Sequence, residues 1–564
     1  MPVIVKNNFN GGVNQEDFLA DLAKNEVRVA VNAVLTKKGS LKKREGSSEY
    51  GSDAGASAVY ALKGYTNDAN ANYKFKAIST KIVEYNAGAW DTDVKTGLTA
   101  GLYVKMSDIK CPSTSATVTG ATASAGADYS ITDSGAGWTV NAYRDYVVKI
   151  TSGTGSGQVK TILENTAEIL YVDGRWDINP DNTSVFSIFA KVKAVVCNNG
   201  TDTGFKIITT TATDITNLPK FTDQIVHNGR LWGILGTKVY WSGLGNGEQW
   251  DGYAYIDTGE DLVGIGRTKD YVTVYSKTKS GVVIGESADN FAFKFRENTH
   301  GCIAKNSIAS YGGYSISLSQ DGVYAFDGNR DYHLSRKINP AIDAIKDSLR
   351  AESAGFVFED LYYLMVAANS SSTVKETIWV LDFAWTDITL AEKTSAWTSF
   401  EGINCNVMGV FKDSNGLLNL YIGSSSTSKV YQLYDGTYND SGAGIKFDVE
   451  DKEWDGGLVG SLKKYGWFFY TGATQLVAST LQFYQNIDNY GFGFVDNIAH
   501  LQSGGVWDVG AWDVASWGGQ ERVIQRIRPG GRGRTIQYKF FNNTANEPVE
   551  IFKFESAFEN YNFH

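Results

Sequence analysis

Arg230-Leu-Trp-Gly-Ile-Leu-Gly-Thr-Lys-Val-Tyr-Trp-Ser-Gly-Leu-Gly-Asn-Gly-Glu-Gln-Trp-Asp251 reads as two short strands and a turn. Residues 230–235 set one charge among apolar side chains, and Gly236-Thr237-Lys238 breaks the run. Val239-Tyr240-Trp241 is β-rich again, before a loop holding Gly243, Gly245 and Gly247. Trp232 and Trp241 are candidate core anchors, and nothing in the stretch looks catalytic. Units of this kind recur. Residues 315–319 and 323–326 are strand patterns joined and closed by Asp321-Gly322 and Asp327-Gly328, a strong meander signal. Residues 360–366 pair in pattern with 377–382, and 418–423 with 429–433, ahead of Asp435-Gly436.

Composition agrees. The 564 residues include 60 Gly but 7 Pro, and aromatics reach 13%, which describes short strands joined by tight turns. An apolar content of 42% excludes a disordered chain. Antiparallel units of about 40–60 residues with Trp-Asp or Asp-Gly at their turns predict an all-β fold, a β-propeller of antiparallel blades; a β-sandwich array is the competing architecture. Six of the fourteen Trp precede Asp. These pairs read as blade corners, the indole packed and the carboxylate bonding nearby backbone N–H groups, with Trp90, Asp91, Trp250, Asp251, Asp321 and Asp435 as candidates.

The chain divides on this reading into an N-terminal arm with the first blades (1–104), an inserted small β-domain (105–190), the remaining blades (191–500) and a Trp- and Arg-rich β segment (501–564). The strand pattern at 27–35 is a candidate for completing a late blade and closing the ring. The basic run Lys42-Lys43-Arg44 reads as a solvated hairpin end. One helix is expected after Asn339-Pro340, with Ile338, Ile342, Ile345 and Leu349 on one face.

The chemistry expected is sparse. A net charge of −10 argues against tight nucleic-acid binding. Cys111, Cys197, Cys302 and Cys405 form no CxxC pair and read as buried thiols of a reducing compartment. The five histidines show no metal-ligand spacing, and Gly153–Gly157 lacks the Lys-Ser/Thr of a phosphate loop. Ser319-Gln320-Asp321-Gly322 begins like the Asp box of sialidases but puts Gly one place early and lacks Thr-Trp. The expectation is that the chain is not an enzyme and holds no metal or cofactor. No apolar run approaches a membrane helix, and the N-terminus has no signal-peptide core. Arg522, Arg526, Arg528, Arg532 and Arg534 are a candidate subunit interface, where arginine is favoured.

Phe9-Asn10-Gly11-Gly12-Val13-Asn14, Asn25-Glu26, Asn32, Gly39 and Lys43-Arg44-Glu45-Gly46 together resemble an N-terminal signature of phage tail proteins. The match continues through 227–232, 239–242, Gly301-Cys302, 318–324 and Leu334-Ser335. The family is that of the nozzle proteins of short-tailed phages, also called tail tubular protein B or DNA-stabilisation proteins. The resemblance implies a propeller-containing structural subunit of the virion tail, assembled in the host cytoplasm. It implies a homohexameric ring that continues the DNA channel, abuts an adaptor on the portal side, and docks fibres or spikes outside. Double-stranded DNA would pass without specific binding, along an acidic wall that repels phosphate.

Overall fold

A computed structural model describes residues 2–53, 55–457, 460–475, 477–500 and 522–560. The fold is all-β, a propeller. Six blades are each built from four antiparallel strands in chain order: residues 59–95, 105–214, 223–257, 262–295, 309–333 and 354–401. The first strands of successive blades pack on one another around the ring. A further blade, residues 407–433, has three strands of its own and takes its fourth from the N-terminal arm: Ser47–Glu49 pairs antiparallel with Val430–Leu433. Ring closure by an N-terminal strand is thus present, but the strand differs from the one expected. The stretch at 27–35 is cut into Val29–Val31 and Ala33–Leu35 by Asn32 at φ 52°. Its first piece instead joins the outer strand of blade 6, Trp397–Glu401, to Phe447–Trp454.

The hairpins follow their turn chemistry. Asp223–His227 meets Arg230–Leu235 through Asn228-Gly229, with φ of 46° and 72°. This is the doubly left-handed turn whose twist suits a two-residue hairpin. Across the next turn, Trp232 faces Trp241, with ring centroids 5.8 Å apart, and Phe291 of blade 4 closes on both at 4.9 and 5.2 Å. The opening hairpin therefore fills the seam between blades 3 and 4.

Pairing moves two expected boundaries. Lys105–Pro112 pairs along its whole length with Lys191–Asn198, so it belongs to blade 2, and the inserted module comprises the strands from Val118–Thr122 to Val185–Phe189. The last blade's sheet ends with the short strands Asn439–Asp440 and Ala443–Gly444, not near 500. The described residues of 447–560 join the N-terminal arm in a two-sheet domain. One sheet holds Val3–Lys6, Ala33–Leu35, Leu41–Lys43, Lys463–Ala473, Arg522–Ile527, Arg532–Gly533 and Glu550–Asn560. The other holds Phe447–Trp454, Ser479–Ile487, Gly493–His500 and Ile536–Asn542. These strands alternate like blade strands, which is why sequence pattern alone does not separate them. The expected helix is two short pieces, Asn339–Asp343 and Asp347–Arg350. Buried Arg350 folds back to donate to the carbonyls of Ile342, Asp343 and Gln320.

Phe468 anchors the core between the two sheets, stacked on Phe483 at 4.4 Å and on Phe554 at 5.2 Å. At one end of it His500 is buried, its Nε2 2.9 Å from the Tyr470 hydroxyl, and burial pushes its pKa down to about 4. Between that value and the free imidazole's 6.5 the unfolded chain binds the proton more readily. The stability contributed by neutral His500 is thus complete above about pH 6.5 and is lost, by up to roughly 3 kcal/mol, as pH falls towards 4. Urea midpoints of the wild type should fall across that window, and those of His500→Leu should fall less steeply. Parallel profiles would refute the assignment.

Candidate functional site

The arginines lie at the rim of the two-sheet domain. Arg522–Ile527 is the last strand of its sheet, paired with Lys463–Ala473. Alternation turns Arg522, Ile524 and Arg526 outward and Ile527 into the core. Arg528 continues the exposed row, and Arg532 and Arg534 are exposed on the return towards Ile536. Arg526 stacks on the Trp467 ring at 3.9 Å and Arg528 lies at 5.3 Å from it, while Arg522 sits 5.9 Å from Phe552. Cation–π contact fixes the guanidinium planes without neutralising them. Among the described residues Arg522, Arg526 and Arg528 have no carboxylate partner. The backbone N–H of Arg534 donates to Asp488 at 2.6 Å.

Below Arg522 opens a groove of about 680 Å³, lined by Lys37, Lys38, Thr36, Ser40 and Phe552 among others. Its carboxylate, Glu550, accepts the Ser40 hydroxyl at 2.5 Å. Basic groups from the two ends of the chain thus converge on one face.

The neighbouring basic run is not a solvated hairpin end. Lys43 and Arg44 are fully buried. The Lys43 ammonium donates to Asn542 Oδ1 at 2.6 Å and the Thr544 carbonyl at 3.0 Å, and burial pushes its pKa down to about 8. Arg44 donates to Asn32 Oδ1 at 2.8 Å and pairs with Asp440. Deeper still, Lys6 and Asp451 form a buried ion pair, with Lys6 also donating to the Glu26 carbonyl at 2.6 Å. Glu26 in turn receives Lys337 at 2.8 Å and Asn14 at 2.9 Å. Gly12 sits at φ 64° with no room for a side chain, since a Cβ there would meet the Trp397 backbone nitrogen at 2.6 Å. The N-terminal signature is therefore the polar seam between propeller and two-sheet domain. Several of its partners, such as Asn542, Asp440 and Lys337, lie hundreds of residues away, and no local signal marks them.

The candidate corners serve different ends. Trp90 and Asp91 do not form a corner: both lie within Ala89–Lys95, the outer strand of blade 1. Alternation buries Trp90, whose Nε1 donates to the Tyr50 carbonyl at 2.8 Å, and exposes Asp91. Trp250 lies in a loop and donates to Gly247 at 3.0 Å. Asp251 binds Lys160 of the inserted module at 2.7 Å, beside Gln249, which reaches Thr161 and Asp173 of the same module. This corner is a clamp on the insertion. Asp321 accepts the Tyr324 hydroxyl at 3.0 Å in a turn of blade 5, and Asp435 accepts the Thr437 N–H at 2.9 Å. Trp507-Asp508, Trp512-Asp513 and Trp517 lie outside the described residues.

The four thiols are free and buried. Among the described residues no helix is long and apolar enough to cross a membrane, and no three metal-ligating side chains gather.

No family model matches the chain, and no curated protein matches it. Solved structures with some likeness include an exo-beta-1,3-galactanase from Phanerochaete chrysosporium, at 7% identity over 92% of this chain and 100% of that one, with a TM-score of 0.23. Another is a glycoside hydrolase family 43 arabinoxylan arabinofuranohydrolase from Bacillus subtilis, at 8% identity over 98% and 100%, with a TM-score of 0.18. A third is AztD from Citrobacter koseri, at 9% identity over 61% and 98%, with a TM-score of 0.19. The expectation that the chain is not an enzyme is not upheld beside a galactanase and an arabinofuranohydrolase, and at these scores neither likeness assigns an activity.

Proposed function

We propose that this chain is a structural subunit of a tailed-phage virion, a nozzle-type protein that assembles as a homohexameric ring at the end of the tail. The ring continues the DNA channel between an adaptor on the portal side and fibres or spikes outside. The arginine-bearing edge is the observation that carries the assembly. Three exposed guanidiniums, stacked on aromatic rings but without a carboxylate partner among the described residues, repel one another. Against the acidic surface of a second copy, on a chain of net charge −10, they gain partners. The order of the N-terminal signature residues supports the family, and their burial in one seam supports reading them as a unit.

Light scattering on the purified chain tests this. A ring has a mass near six protomers of 61.6 kDa. Arg526→Glu with Arg528→Glu should leave the circular dichroism unchanged and weaken assembly by at least about tenfold, as expected for reversed charge at a contact. A wild type of one-protomer mass at every concentration would sink the ring and favour a monomeric propeller binding module.

A further inference from the structure

We propose that His300 is a pH-sensitive latch that holds the seam between blades 4 and 5 closed while its imidazole is charged. His300 lies on the connector from Ala292–Phe295 of blade 4 to the first strand of blade 5. Its ring stacks on Tyr324 of blade 5, with centroids 3.8 Å apart and planes 11° from parallel. His333 also stacks on Tyr324, at 4.6 Å. Nδ1 of His300 is 3.2 Å from Asp331 Oδ2, and the backbone N–H of His300 donates to the same oxygen. Nε2 lies 3.7 Å from Asp321 Oδ2, the oxygen that also accepts the Tyr324 hydroxyl. Both ring nitrogens thus face carboxylates, and only the imidazolium presents an N–H and a positive charge to both.

Asp331 makes the charge matter. Its side chain is 5% exposed, and its second oxygen, Oδ1, is buried without a hydrogen-bond partner. The ion pairs of the described residues give it no cation besides His300. A neutral imidazole would leave a buried carboxylate uncompensated, which is costly. The other charged groups nearby do not substitute. Arg296, on the same connector, donates to the Gly328 carbonyl at 2.9 Å, and Glu297 is exposed. Arg336 pairs with Glu392 at 2.8 Å on the His333 side.

The Asp331 hydrogen bond raises the His300 pKa, whereas burial lowers that of His333. A raised histidine pKa gives stability that is complete below the free imidazole's value and lost as pH rises through the folded value. Alkali therefore loosens the latch and mild acid tightens it. The connector's backbone reports the state, since the Ile303 N–H donates to Leu318 of blade 5 at 3.0 Å.

Hydrogen exchange over residues 296–304 of the full chain, corrected for intrinsic base catalysis, tests the latch alongside an NMR titration of the histidines. Corrected protection in the wild type should fall about tenfold or more between about pH 6 and about pH 8.5. His300 should titrate above free imidazole. His300→Gln should exchange rapidly at both pH values, while His333→Gln should keep the wild-type profile. Protection independent of pH, or His300 titrating at or below free imidazole, overturns the proposal. Both readouts come from the wild type, so they decide it even if a variant fails to fold.

Discussion

Asp451→Ala should destabilise the protein by roughly 3–5 kcal/mol, the cost of leaving a buried charge without its partner. Lys6 and Asp451 are both wholly buried. Burial pushes the Lys6 pKa down, with the Asp451 charge opposing it. Asp451 also accepts the Trp454 Nε1–H at 2.5 Å, so its removal strips Lys6 of its countercharge and orphans the buried indole N–H. Lys6 sits in Val3–Lys6, which among the described residues pairs only with the strand Glu550–Asn560, so the first effect should be release of the N-terminal strand. Limited proteolysis should cut the variant within its first ten or so residues before the propeller is touched. Lys6→Met with Asp451→Leu should recover most of the loss, because a well-packed apolar pair avoids the desolvation cost. A double variant as weak as the single would show that packing, and not charge, is responsible.

Phe468→Ala should cost about 3–5 kcal/mol, the range for deleting a buried aromatic ring. Besides its stacks on Phe483 and Phe554, the ring lies 4.8 Å from Tyr538. Its strand is the one to which the arginine strand is bonded, with Phe468 opposite Ile527. The cavity therefore opens directly beneath the proposed contact surface. Denaturant unfolding should show the loss. Assembly should weaken in parallel, although no arginine has been changed. Phe468→Leu keeps most of the volume and should cost less, about 1.5 kcal/mol. An alanine variant of wild-type stability would mean that the two sheets close over the gap.

Much of the propeller is legible in the sequence because it is written locally. Period-two alternation and turn residues such as Asn228-Gly229 and Asp327-Gly328 act over fewer than ten positions. What was not legible lies far apart in the chain. Lys43 looks like a surface lysine until Asn542 is placed beside it, 499 positions away. The strands after residue 444 alternate like blade strands, and only their partners show that they form two further layers, one of them continuous with blade 6 through Val29–Val31. The arginine cluster was visible, since five arginines fall between 522 and 534, but the indole of Trp467 that orders two of them was not. Trp90-Asp91 misled because alternation along a strand and the two sides of a corner both set an apolar residue beside an acid. The cluster around His300 draws on a connector, a turn and two strands, which no spacing rule unites.

The closing strand Ser47–Glu49 has a consequence for synthesis. Its partner around Tyr431 leaves the ribosome about 380 residues later, a wait of roughly 20–80 s at ~5–20 residues per second. Until then the nascent ring is an open arc with one blade edge bare. The strand that must wait is three residues long and reads Ser-Ser-Glu, too short and too polar to recruit stray strands. The bare edge it will cover, Val430–Leu433, is made last among the blades and so is exposed for the shortest time. Polarity and order of emergence together protect the growing chain from the misassembly that an unclosed ring invites.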